Sequence, residues 1–399
     1  MLNKVHLQRY AEVLLWGLKI ARNKTFKKGD VILVRYHIPA LPLAEILYAH
    51  LMEMGMNPVM RLSPTPNMEK SFFMISNHHQ LTFQPPGEKE LYRNLNGSIF
   101  LHAPESITHL SKVDPKKIGS HTLALKPLRE IMDRRESLGL FSWTLCMLPT
   151  SQLAKHAGLS MKAYTDQIVK ACWLHRRNPV SHWNEIYKDA QQVKKWLNRM
   201  SVKHYRVESK NVDLVVTPGE QRRWIGISGH NIPSFELFLS PDWRGTSGVY
   251  YADQPSYRNG NLVTDVRLEF QKGSAVTIKA TKGEAFVRKQ MGMDNGANKL
   301  GEFSLTDKRF SKINRFMANT LYDENYGGRY GNCHVAVGAS YSDTYSGKPS
   351  ELTKARKKKL GFNDSALHWD LVNTEKKRVT ARLKTGRNIT IYENGQFLY

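Results

Sequence analysis

Apolar residues at Tyr10, Val13, Leu14, Leu18 and Ile20 recur at mostly helical spacing across residues 7–24, with charge on the opposite face. Lys28-Gly29-Asp30 breaks that pattern, and the continuous run Val31-Ile-Leu-Val34 predicts a buried strand. A second amphipathic run over 43–52 stops near Gly55, and Asn57-Pro-Val-Met60 starts another strand. Together these segments predict a βαβ unit with a right-handed crossover. Ser98–His102 and Leu140–Met147 read as further strands, with helical stretches over 122–136 and 160–199. Alternation of this kind predicts an open α/β sheet.

The texture changes after about residue 203. Short β-like runs dominate: Val212–Val216, Trp224–Ile227, Val263–Phe270 and Val276–Lys279. Turn-rich stretches such as Asn259-Gly-Asn261 punctuate them, and helices are expected near 282–292 and 307–321. The expected organisation is two domains. An α/β N-terminal domain over 1–203, with an open, mostly parallel sheet, precedes a β-rich α+β domain over 204–399.

Composition narrows the functional classes. The chain has 399 residues, 41% hydrophobic and 24% charged, which excludes disorder and small stapled scaffolds. Its formal charge is +24, a footprint that nucleic-acid binders share. The excess is spread, however, with 28 basic against 15 acidic residues up to position 200 and 31 against 20 after it. Only Lys354-Ala-Arg356-Lys357-Lys358-Lys359 forms a basic block, so a nucleic-acid partner is not expected. Cys146, Cys172 and Cys333 show no CxxC spacing, which argues for a reducing compartment. No apolar run approaches the ~20 residues of a membrane helix, and the N-terminus is a poor signal peptide. A cytoplasmic protein without a membrane partner is the expectation.

Familiar signatures are missing. The chain contains no glycine-rich dinucleotide fingerprint, no GxxxxGK[ST] loop, no HExxH helix and no GxSxG elbow. Scattered acids and imidazoles in the second half remain. In His368-Trp-Asp370 the outer residues share one face of a strand and could close on an ion, or simply hydrogen-bond each other. His334 opens a strand that ends in a small-residue turn at Tyr341, and a satisfied core histidine is the plain alternative. Glu236 and Glu302 lie among large apolar residues, where a carboxylate is costly unless it pairs or binds a cation. Two Glu, two His, an Asp and a Tyr form a ligand set suited to a pair of borderline divalent ions.

In order along the chain, Pro233-Ser-Phe-Glu236-Leu-Phe, Leu300-Gly-Glu302, His334-Val-Ala-Val-Gly-Ala-Ser-Tyr341 and Ser365-Ala-Leu-His368-Trp-Asp370 carry a resemblance. They resemble the aminopeptidase T/aminopeptidase S family of dinuclear metalloaminopeptidases. Arg267-Leu-Glu-Phe270 and Leu321-Tyr-Asp-Glu-Asn-Tyr-Gly-Gly328 support it from outside the site. The resemblance implies an exopeptidase that removes N-terminal residues from peptides with a free N-terminus. It implies two divalent ions (Zn, Co, Mn or Mg) held by Glu236, Glu302, His334, His368 and Asp370, with Tyr341 in the same site. Glu302 or Glu236 would carry the proton to the leaving amine, and Tyr341 would ligate or support the oxyanion. A homodimer is also implied. Phe235, Leu239 and the added Arg329-Tyr-Gly-Asn332 depart from the family pattern, which keeps a retired peptide-binding relative as an alternative beside a basic nucleic-acid binder.

Overall fold

The computed structural model describes residues 2–22 and 24–399. The chain forms two compact units. One comprises the residues up to Trp183 together with Ser228–Pro233, and the other Asn184–Ile227 and Ser234–Tyr399. The division falls inside the helix Pro179–Asn198 and not near 203. A continuous helix carries no shift of composition to mark such a point.

In the first unit the helix Lys4–Ile20 opens on Asn3, whose side chain accepts from the His6 N–H at 2.9 Å. Strands β1 (Val31–Tyr36), β2 (Asn57–Leu62), β3 (Leu95–His102) and β4 (Ser142–Met147) follow. They lie in the order β2-β1-β3-β4, and Asn231–Ile232 completes the edge beside β4. Every pairing is parallel, as the alternation of strand and helix led us to expect. Ile32, Val34, Ile99, Leu101 and Cys146 are fully buried, the mark of a sheet covered on its faces. The stretch expected as one helix over 160–199 is two, Met161–Ala171 and Pro179–Asn198. Trp173 turns into the left-handed region at φ 59°, and Pro179 is pre-organised to start the second. The stretch over 122–136 likewise splits at Leu125, between Pro115–Ala124 and Lys126–Ser137.

The second unit holds an eight-stranded sheet, a four-stranded sheet and a two-stranded hairpin. The run 263–270 is broken at Asp265, φ 56°, so Asn261–Val263 pairs with Ser256–Arg258 in the hairpin while Val266–Gln271 joins the large sheet. Trp224–Ile227 is not a strand. Gly226 has φ 132°, and a Cβ there would collide with the Glu236 carbonyl, so only Ile225 bridges to Phe238. The expected helix at 307–321 shrinks to Thr320–Asp323. Asp307 accepts from the backbone N–H groups of Arg309 and Phe397, and Asp323 from those of Met317 and Asn319. These side chains offer the backbone partners that a helix would otherwise supply. The helix near 282–292 forms as Glu284–Met291.

Candidate metal centre

The four-stranded sheet is antiparallel, in the order His368–Asn373, Asn332–Gly338, Leu300–Thr306, Glu236–Leu239. Its register sets the chemistry. Ala336 is paired with both Glu302 and Asp370, His334 with Ser304, Gly338 with His368, and Thr306 with Glu236. Because side chains alternate along a strand, Glu236, Glu302, His334, His368 and Asp370 all fall on one face. The opposite face takes Leu237, Leu239, Phe303, Leu305, Val335, Val337, Trp369 and Leu371, all buried. Phe303 packs there against Tyr205 and Trp224, at ring-centroid distances of 5.8 and 5.6 Å. The sheet thus has an apolar face and a ligand face, and even the ligand face is dry: Glu236, Glu302 and His334 are buried.

The predicted residues meet as a chain of contacts. His334 Nε2 lies 3.0 Å from Glu236 Oε2 and 3.1 Å from Glu302 Oε1. The second Glu302 oxygen is 3.9 Å from His368 Nε2, which is 3.3 Å from Asp370 Oδ1. The Tyr341 ring lies 4.6 Å from that of His368, and with 45% of its surface exposed it forms the lip of the site. Glu236, Glu302 and His334 bring one ligand atom each within 4.8 Å of the others.

Outer contacts orient these groups. His368 Nδ1 donates to the Ala339 carbonyl at 2.9 Å, which turns Nε2 toward Glu302 and Asp370. The Ser304 hydroxyl donates to Glu236 Oε2 at 3.0 Å. Arg258 reaches in from the hairpin and donates through Nη1 to the His368 carbonyl at 2.8 Å.

Glu324 belongs to the same cluster and escaped the sequence reading. It is buried, and its backbone carbonyl accepts from Asn332 Nδ2 at 2.9 Å. The next residue, Asn325, accepts the Phe235 N–H at 2.5 Å, which ties this segment to the Glu236 strand. A run of Asp323-Glu324-Asn325 among large apolar residues was its only signal. Of the departures from the family pattern, Leu239 lies on the apolar face, away from the ligands.

Electrostatics describe a site short of positive charge. Burial pushes the Glu302 carboxyl up to about 7, partly opposed by its hydrogen bond with His334, and the charge on Glu236 adds to the rise. Burial, with the charges of Glu236 and Asp370, holds Glu324 well above the carboxylate range. Burial lowers both imidazoles, yet their carboxylate partners outweigh it: His334 is held well above its usual value and His368 at about 9. Asp370 is raised by burial but drawn down to about 2 by His368. Burial and the four carboxylates keep the Tyr341 phenol protonated far above its normal range. Protons here occupy positions that a cation would take. The oxygen and imidazole donors, the buried His334 Nδ1 without a partner and the oriented His368 Nε2 together fit a divalent ion.

Comparison with known proteins gives an independent line. The sequence profile of the family described as thermophilic metalloprotease (M29) matches residues 3–397. Aminopeptidase AmpS of Bacillus subtilis is 26% identical over 339 residues, covering 79% of this chain and 80% of that one. Aminopeptidase PepS of Streptococcus thermophilus is 22% identical over an alignment of 417 positions, covering 99% and 98%. Aminopeptidase T of Thermus thermophilus is 26% identical over 311 residues, covering 72% and 73%. The solved structure of wild-type AmpT from Thermus thermophilus superposes with a TM-score of 0.80 at 20% identity, over 98% of this chain and 99% of that one, and so shares the fold.

Proposed function

The chain belongs to the M29 family of thermophilic metalloproteases and is accordingly a metal-dependent aminopeptidase acting on peptides; we propose that it works with two divalent ions held by Glu236, Glu302, His334, His368 and Asp370, with Glu324 beside them. The observation that carries this reading is the single buried face on which the ligands converge. Four carboxylates there would carry four negative charges once metal displaces their protons. One divalent ion would leave a net −2 in a dry site, whereas two neutralise it. Nitrogen and oxygen donors without sulfur suit zinc or cobalt, and accept manganese or magnesium. When bound, such a pair supplies Lewis acidity toward the scissile carbonyl and lowers the pKa of a water between the ions.

The chain's own groups do the remaining work. Glu302 reaches both imidazoles with its two oxygens, which places it between the two histidines that would hold the ions. Glu302 or Glu236 would take the proton of the attacking water and return it to the leaving amine. Tyr341, at the lip of the site beside His368, would donate to the oxyanion of the tetrahedral intermediate or ligate an ion. The substrate's free α-amino group, as the neutral amine, would be held at one of the ions, which sets the register of cleavage at the N-terminus.

The proposal extends to a homodimer in the cytoplasm. Met68, Ile75, Phe83 and Leu123 of the first unit stand exposed and offer a second copy an apolar face. All three cysteines are free and buried, and among the described residues no helix is long and apolar enough to cross a membrane. The test is hydrolysis of aminoacyl-amide reporters before and after chelation, then with zinc, cobalt, manganese or magnesium restored. We expect loss on chelation, recovery with metal, and no cleavage of N-acetylated reporters. Cleavage that withstands chelation would sink the proposal.

A further inference from the structure

The connection between the His334 and His368 strands leaves the sheet after Gly338 and returns at His368, so both of its ends lie at the metal centre. Its base is pinned, with Ser340 N–H donating to the Asn363 carbonyl and Asn363 N–H to Ser340 Oγ, both at 2.9 Å. Tyr341 starts the excursion, and a short 3-10 turn, Ser342–Thr344, leads to Tyr345. Tyr345 is buried with Leu360 and Phe362, which anchors the far side of the loop. Between these anchors lies the helix Lys354–Lys359, capped by Thr353.

Charge on this excursion is one-sided. Lys348, Lys354, Arg356, Lys357, Lys358 and Lys359 face only Asp343, Glu351 and Asp364 along the same segment. Arg356 is engaged, 3.4 Å from Glu351 and 5.6 Å over the Tyr345 ring. Among the described residues the five lysines make no ion pair, and Lys354, Lys358 and Lys359 are exposed. A solvated face needs no anchoring of this kind. Here the helix is fixed through Tyr345 to the residue that forms the lip of the site. Four residues at ~2 Å each separate Tyr341 from Tyr345, and the Arg356 guanidinium lies over the Tyr345 ring, so the basic helix begins within roughly 20 Å of Tyr341, the span of about six extended residues.

We infer that this basic loop is a substrate-recognition surface that favours peptides carrying acidic side chains several residues beyond the bond cut. The inference rests on the aminopeptidase reading of the metal centre. Such a substrate would place its N-terminus at the metal centre and its anionic side chains toward the lysines. Each contact is exposed and separately weak, so the preference comes from their sum and is screened by salt.

Matched eight-residue peptides with one common first residue and Asp, Ser or Lys at positions four to six test it. At about 0.05 M salt we expect kcat/KM about five-fold higher for the Asp peptide than for the Ser peptide, carried by KM, shrinking to less than about two-fold at 0.5 M. The triple substitution Lys354→Glu, Lys358→Glu, Lys359→Glu should abolish or reverse that order and leave the aminoacyl-amide reporter untouched. A triple Lys→Gln variant guards against misfolding and should remove the preference without reversing it. Anisotropy of a labelled Asp peptide on the same proteins reads the loop without turnover, so an inactive metal centre and an inert loop give different results. Equal kcat/KM and equal binding for Asp and Lys peptides would overturn the inference, as would a preference that survives in either triple variant. Capture of homopolymeric RNA that the Asp peptide fails to displace would also overturn it.

Discussion

The parallel sheet of the first unit and the four-stranded sheet of the second both bury their central strands, and they are built from opposite materials. In β1 and β3 the fully buried apolar positions include Ile32, Val34, Leu95, Ile99 and Leu101, and removing them from water is favourable by itself. The central strands Leu300–Thr306 and Asn332–Gly338 are buried along their whole length, yet carry Glu302, Ser304, Thr306, Asn332 and His334. The first arrangement is complete without a ligand. The second is complete only when cations offset the charge it buries.

Substitutions that exchange these behaviours test the contrast. Glu302→Gln keeps shape and removes a charge. We expect kcat to fall at least about a thousand-fold and metal binding to weaken, while the metal-free protein melts at the same temperature or higher, because a costly buried carboxyl is gone. Ile99→Ala does the reverse: it should cost about 2–5 kcal/mol of stability and leave kcat per folded molecule unchanged. An Ile99→Ala variant that lost turnover without losing stability would break the division between scaffold and centre. Tyr341→Phe should lower kcat by about a hundred-fold with little change in KM, the loss of one oxyanion donor.

A smaller effect concerns protons. At pH 7 the metal-free imidazoles of His334 and His368 are charged and Glu302, at about 7, is half protonated. With the proton that burial keeps on Glu324, metal uptake should release about three to four protons, which calorimetry in buffers of different ionisation enthalpy measures. Release should decline as pH rises through about 9, where His368 has already lost its proton. The raised His368 value also stabilises the metal-free fold fully below about 6.5, and that contribution is lost as pH rises through about 9.

Much of this molecule is legible in its sequence. The alternation of strand and helix before residue 200 marks the parallel sheet, and His368-Trp-Asp370 places two groups on one strand face without any tertiary knowledge. What periodicity misses is set by single side chains. Asp307 and Asp323 bind backbone N–H groups and dissolve an expected helix, and Trp173 interrupts another with a positive φ. Glu324 was hidden for a related reason: it lies just past a four-residue helix, outside any strand pattern, and burial beside Glu236 and Asp370 gives it meaning. Arg258 likewise reaches the centre only because Asp265 breaks a strand and frees a hairpin.

The central claim is two cations on one buried sheet face. Anomalous diffraction at the zinc edge, from crystals grown with zinc, tests it most directly. The account predicts two peaks ~3.5–4 Å apart, enclosed by Glu236, Glu302, His334, His368 and Asp370. A single peak there, or a pair bound elsewhere in the chain, would contradict it.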